Sequence, residues 1–295
     1  MTINYPRLYN RFYTQPLLIE ASYGQAIHAS FWPRLTSDAR ITLSAEDIKA
    51  AAPAVSKLGM RNTSLWPDKA DGTMYNLAAP GIAVVPVYGV IGKNMDAFDM
   101  MCGGCPVDAV GTALDQAIAA KGIKTIIMDF GSPGGEVTGI AEQGNRIAAA
   151  VANAGKPIYA FVDSQCCSAA YWLASQCTEI VATPSATLGS IGVYVAWFDP
   201  SVAMQLAGYK LEMFAAGDHK GMGMPGRPLS AAERDMLQAR VDNVYQKFTA
   251  AVTSGRPDVK KSTMQGQTFT GEQSLTNGLA DLLVNDWSEF ISALG

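Results

Sequence analysis

The apolar positions of this chain change their period repeatedly, and each change marks an element. Residues 82–90 alternate around Pro86 and read as an opening strand, placed at a sheet edge because proline cannot donate to a ladder. Val107, Val110, Leu114 and Ile118 then recur at helical spacing toward Gly122. An apolar run at 125–130 predicts a short strand. After it, Val137, Ile140, Ala141, Gly144, Ile147, Ala148 and Val151 keep a helical period until Gly155. The rhythm continues with a strand at 157–162, a helix at 168–176, a strand at 179–182, a glycine-containing β segment at 189–195 and a strand at 211–215. Repeated βαβ units of this kind imply an α/β fold, with a mostly parallel sheet and helices outside it.

A long helix follows at 230–254. Ser230 and Glu233 form a capping box, and Leu237, Val241, Val244, Phe248 and Val252 make its apolar stripe. The chain closes with a short helix stopped by Gly278, a strand at 279–284 and the segment 286–294. Residues 1–80 lack this rhythm. They offer a helix at 44–57, with Ser44 as N-cap and Asp47 in its first turn, and a turn-rich stretch at 67–72. The expected organisation is therefore an N-terminal extension or small subdomain over 1–80 and one α/β domain over 81–295, without internal repeats.

Composition narrows the classes. At 295 residues the chain can bury a sizeable core, and its formal charge of −4 speaks against a dedicated nucleic-acid binder. Residues 72–92 and 180–198 carry no charge and reach membrane-spanning length, but proline, glycine and β-branched alternation mark them as buried strands. The first 21 residues show no signal-peptide pattern, so a soluble cytoplasmic protein without a membrane anchor is expected. Five cysteines without a secretory signal argue against a disulfide framework. Cys102 and Cys105 have redox or zinc spacing, yet there is no second such pair and only two histidines, so a glycine-containing loop is the better reading and no metal is expected.

Three positions carry candidate chemistry. Ser132-Pro133-Gly134-Gly135 follows a strand and precedes a helix. Glycines there let a substrate approach the main chain, and their N–H groups can face a developing oxyanion; a plain βα turn accounts for the motif equally well. Ser168 lies at the next strand-to-helix junction, where serine is ordinarily an N-cap. Ala169 and Ala170 leave space around its hydroxyl, so it also reads as a nucleophile. Cys166 and Cys167 are rivals, but a catalytic thiolate needs a neighbouring cation, and the histidines are His28, far upstream, and His219. Lys220, in a Gly- and Met-rich loop, is either a solvated surface lysine or a base, a role open to lysine where desolvation disfavours its charged form.

Taken in order, Ser132-Pro-Gly-Gly135, Ser168-Ala-Ala-Tyr171, Leu188-Gly-Ser-Ile-Gly-Val193 and His219-Lys220 with Pro225 resemble the signal peptide peptidase A family of serine peptidases, and within it the bacteriophage head-maturation proteases of the minor capsid protein C type. The resemblance runs from about Gly81 to Val284, and Pro16-Leu-Leu-Ile19 is similar to the phage branch as well. It implies a Clp protease/crotonase-like β-α superhelix that assembles into homo-oligomeric rings and uses no cofactor. By the same resemblance Ser168 is the nucleophile, Lys220 the base, Gly135 with Gly134 the oxyanion hole, and Ser190 a serine that orients the lysine. In some members serine and lysine come from neighbouring protomers. The chain departs from many relatives in having Ser-Ala-Ala rather than Ser-Gly-Gly at the nucleophile, and Leu275 where alanine is usual. The implied activity is endoproteolysis of scaffold or capsid proteins within a phage prohead in the bacterial cytoplasm. The alternatives are an idle capsid-assembly component on the same fold, a signal-peptide-peptidase-like protease of prophage origin, and a crotonase-type acyl-CoA enzyme.

Overall fold

A computed structural model describes residues 12–36, 71–96, 99–100 and 103–295. The helix expected at 44–57 and Cys102 lie outside the described residues.

The centre of the molecule is strand β6 (Thr125–Ser132), whose Ile126 to Phe130 are all buried. It is flanked in parallel by β3 (Ile82–Tyr88) and β8 (Ile158–Cys167). An apolar run buried on both faces is what an interior parallel strand requires. Outside β3 lies β2 (Asn76–Ala79), antiparallel, so β3 is not the edge strand that Pro86 suggested. The correction is partial: β2 pairs only as far as Val84, and no described strand pairs with the outer side of β3 at Pro86, which lacks its N–H.

β8 is long because it serves two neighbours in succession. Its first half pairs in parallel with β9 (Glu179–Ala182), from Tyr159↔Glu179 to Val162↔Ala182, and its last three residues pair with β10 (Thr187–Gly189), ending at Cys167↔Gly189. β11 (Thr268–Thr270) pairs antiparallel on β10, and β12 (Leu282–Leu283) pairs on β9. A second sheet has the order β1 (Leu17–Ile19), β7 (Gly134–Glu136), β4 (Val90–Gly92), β5 (Gly104–Pro106). It stands at the ends of β3 and β6, where both strands hand over to it. β1 and β2, both from the first eighty residues, are thus paired into the sheets of the α/β domain.

The helices cover the sheet as the apolar spacing foretold. α1 (Ala21–Thr36) follows β1. α2 (Val107–Ala119) buries Val107, Val110, Ala113, Leu114 and Ala117, and the Lys156 ammonium donates to three carbonyls at its C-terminal end, Ala117, Ile118 and Ala120, where a cation complements the helix dipole. α3 (Ile140–Asn153) and α4 (Ala169–Ala174) follow β7 and β8, and α4 is buried at all six positions. After α5 (Ser201–Leu206), the long α6 (Ala231–Gly255) starts with the expected capping box: Ser230 accepts from the Glu233 N–H and Glu233 from that of Ser230. Trp172 of α4 stacks on Phe248 of α6 with ring centres 4.9 Å apart, which fixes the helix that follows Ser168 against the longest one. α7 (Gly271–Thr276) and α8 (Trp287–Leu294) close the chain.

Two expected strands are not formed. Residues 189–195 give only the end of β10 and an isolated bridge at Tyr194, because the turn at Gly189 and Ser190 leads the chain away from the sheet. Residues 211–215 have no regular structure and are exposed: their apolar side chains meet no partner strand.

Candidate active site

Ser168 is placed by the end of β8 and the start of α4. Its N–H donates to the Gly189 carbonyl across to β10 (2.8 Å), and its carbonyl accepts from Trp172 N–H (2.9 Å). The backbone is at φ 53, ψ −116, a region that favours glycine. Such a conformation costs about 1–3 kcal/mol and persists only where the surroundings over-determine it; the fully buried α4 and the strand-to-strand hydrogen bond do so here. The side chain caps nothing, so the N-cap explanation of this serine fails. Ser168 is fully buried, and its hydroxyl has no hydrogen-bond partner. A buried, unpaired hydroxyl normally costs stability, and such groups are retained where chemistry needs them.

Gly134 lies against it. A methyl built on Gly134 would stand 2.9 Å from Ser168 Cβ, 2.9 Å from the Cys167 carbonyl oxygen and 2.2 Å from the Leu18 carbonyl oxygen, and its φ of 102° bars other residues independently. At Gly135 a methyl would fall 1.9 Å from the Ile91 carbonyl oxygen. The two glycines are therefore required by close backbone approach on both sides of β7. The Gly134 N–H is already engaged: it donates to Ser132 Oγ (3.1 Å), whose own hydroxyl donates to the Gly89 carbonyl (2.6 Å). Of the expected pair of oxyanion donors, Gly134 therefore supplies clearance at a turn that Ser132 fixes.

Ser190, buried at the end of β10, follows the Gly189 carbonyl that binds the Ser168 amide, and it too has a positive φ, 51°. Two serines in glycine-like conformations thus terminate neighbouring strands. Lys220 is elsewhere. Residues 205–220 are exposed throughout, Lys220 among them, and it makes no hydrogen bond to Ser168. Among the described residues nothing buries it, although its Gly- and Met-rich loop suggested desolvation. The arm that carries it, residues 195–229, exposes Val202, Leu206, Tyr209 and Phe214, the last at 94%.

The rival nucleophiles are disposed of by burial. Desolvation pushes the Cys167 thiol up to about 12 and that of Cys166 well above its ordinary value, so neither forms a thiolate near neutral pH. His28 stacks on Phe198 (4.8 Å) and bonds to the Tyr13 hydroxyl, while His219 is exposed beside Lys220. Among the described residues no group of His, Cys, Asp or Glu side chains is arranged to hold a metal ion, and no helix is long and apolar enough to cross a membrane.

A strained, buried serine pressed against a glycine turn in a parallel α/β framework defines the outline of an acyl-transfer hydrolase. Comparison with known proteins makes the class specific. Residues 150–293 match the model of peptidase family S49, and the putative signal peptide peptidase SppA of Enterococcus faecium is 28% identical over 58% of this chain and 50% of its own length. Both matches point to the family that the resemblance implied. The capsid assembly protease C of Escherichia phage lambda is 28% identical over 96% of this chain and 64% of its own length. The chain thus spans half of the Enterococcus relative and less than two thirds of the lambda one. Among solved structures, an enoyl-CoA hydratase from Shewanella pealeana aligns over 75% of this chain and 72% of its own, at 12% identity and a TM-score of 0.43, a likeness that carries nothing about chemistry.

Sequence reasoning singled out Ser168, the glycine turn, Ser190 and Lys220 as candidates, and the structure brings the first three together. It missed the tie from Ser132 to Gly89 and Gly134, and it missed β1 as a neighbour of the glycine turn; the tripeptide Leu17-Leu18-Ile19 is too short to show a period.

Proposed function

We propose that the chain is a serine endopeptidase in which Ser168 is the nucleophile and Lys220 of a neighbouring copy is the base. The neutral lysine takes the proton of Ser168 Oγ as the oxygen attacks a peptide carbonyl. The Gly135 N–H stabilises the resulting oxyanion, the amine leaves with the proton, and water then hydrolyses the acyl-enzyme. Ser190, one residue past the carbonyl that holds Ser168, orients the lysine. The substrates are extended segments of scaffold or capsid proteins inside a phage prohead in the host cytoplasm, in keeping with the name of the lambda relative.

The observation that carries this reading is the separation of two half-sites. The Ser168 hydroxyl is buried without a partner among the described residues, and Lys220 is exposed on an arm that also exposes Val202, Leu206, Tyr209 and Phe214. An arm of this kind suits a heterologous contact between copies, the type that closes into rings.

The test is complementation, read as cleavage of a scaffold protein with products identified by mass spectrometry. Ser168→Ala and Lys220→Ala chains should each be inactive. Mixed in equal amounts and reassembled, they should recover roughly a quarter of wild-type activity, since a random ring pairs an intact serine with an intact lysine at about that frequency. Cleavage retained by Ser168→Ala would sink the dyad, and a mixture as inactive as its parts would place the base within one chain.

A further inference from the structure

β1 lies where the proposed reaction would place a substrate. On one side it pairs antiparallel with β7, in the register Leu17↔Glu136, Leu18↔Gly135, Ile19↔Gly134. On the other, Leu17 exchanges two hydrogen bonds with Tyr194, donating over 2.8 Å and accepting over 3.3 Å. The peptide groups of successive strand residues face opposite ways. With those of Leu17 given to Tyr194, the N–H and C=O of Leu18 face Gly135. The Leu18 carbonyl oxygen also closes on the bare face of Gly134, on which Ser168 Cβ closes as well. A carbonyl of the chain itself therefore stands at the glycine turn beside the nucleophile.

We infer that β1 is an internal occupant of the peptide-binding slot, with the Leu18 carbonyl in the scissile position, and that a substrate binds only when β1 leaves. This rests on the reading of Ser168 and Gly135 given under the proposed function. The occupant also describes its competitor: an extended apolar peptide that adds a strand to β7 and bonds to Tyr194. Its side chains would fill the places of Leu17, Leu18 and Ile19, none more than 3% exposed. The residues preceding them would enter a groove of about 760 Å³ that begins at Gln15 and Pro16 and is lined by Lys93, Glu136, Val137 and Arg240. Burial of these three aliphatic side chains keeps the slot closed at rest. Apparent affinity for substrate is then lowered by the fraction of chains that are closed.

The test reads binding rather than catalysis. A fluorescein-labelled peptide of the chain's own residues 15–20 is titrated by anisotropy against the full-length Ser168→Ala chain, alone and with β1 altered. Leu18→Pro removes the N–H facing Gly135 and should tighten binding at least about tenfold. As a second variant, Leu17→Cys with Glu136→Cys joins residues directly opposite each other in a non-hydrogen-bonded pair, at a spacing of ~4.5 Å that suits a disulfide. Oxidation should abolish peptide binding and reductant restore it, with neither change in the two single-cysteine chains. Equal binding by the oxidised and reduced lock would overturn the inference, as would a folded Leu18→Pro chain that binds no more tightly than its parent. Because the nucleophile is absent from every sample, failure of the Ser168–Lys220 dyad would leave this result unaffected.

Discussion

At the scale of single residues, the site is a collection of positions where the ordinary choice is sterically or conformationally barred. Ser168 and Ser190 adopt positive φ although each carries a Cβ, and Gly134 and Gly135 have no room for one. Both serines are held from the same point, the end of β10, where the Gly189 carbonyl takes the Ser168 amide. Gly135→Ala should therefore act twice. The added methyl meets the Ile91 backbone, which cannot yield as a side chain would, so the expected loss of stability is about 1–3 kcal/mol. Displacement of the Gly135 amide should also cost turnover by about two orders of magnitude, the usual penalty for a lost oxyanion donor. Thermal melts and peptide kinetics on the same preparation check both; an unshifted melting temperature would show that β7 is not seated as described.

At the scale of elements, the anchoring of the 195–229 arm is the feature with a measurable signature. Arg227 pairs with both carboxylate oxygens of the buried Glu233 at the start of α6, and its guanidinium also reaches the Gly221 carbonyl (3.2 Å), one residue past Lys220. The hydrogen bond from Arg227, followed by that from the Ser230 N–H, lowers the Glu233 carboxyl from 4.5 to about 2. A depressed carboxyl contributes its stability in full above its unfolded value and loses it as pH falls toward the folded one. Melting temperature should then fall between pH 4.5 and 2 more steeply in the parent than in Glu233→Gln, the two curves converging at the acid end. Parallel curves would mean that the pair holds nothing.

How far such elements could be read from sequence depended on whether their pattern was local. α6 was legible because a capping box and an apolar stripe both lie within it, and β9 because Glu179–Ala182 is bounded by turns. The strand expected at 211–215 was not, because no described strand pairs with it; the same apolar pattern that marks a buried strand also occurs on an exposed surface. The edge placement of β3 failed halfway, since a proline reports only its own missing N–H, and β2 stops short of it. Ser168, Gly134 and Gly135 could be named from order and spacing, but the engagement of Gly134 by Ser132 is a tertiary fact, set where β3 passes Gly89 beside β6.

At the scale of the whole molecule, the surface of the 195–229 arm is the prominent feature. Phe214, Leu206, Val202 and Tyr209 project from the arm that bears Lys220, and an exposed apolar surface of this extent ordinarily marks a contact with another molecule. Substituting Phe214→Asp should shift the mass measured by light scattering toward the monomer and reduce cleavage in step, while leaving the thermal melt of the core unchanged. A variant of undiminished mass would exclude the arm from the assembly. The tripeptide Leu17-Leu18-Ile19 has a different kind of consequence. If one surface both shelters this stretch of the chain and reads its targets, the two cannot drift apart: any change that retunes what the surface accepts also loosens or tightens the resting molecule. The tripeptide would then serve as a written specimen of the sequence that the surface accepts.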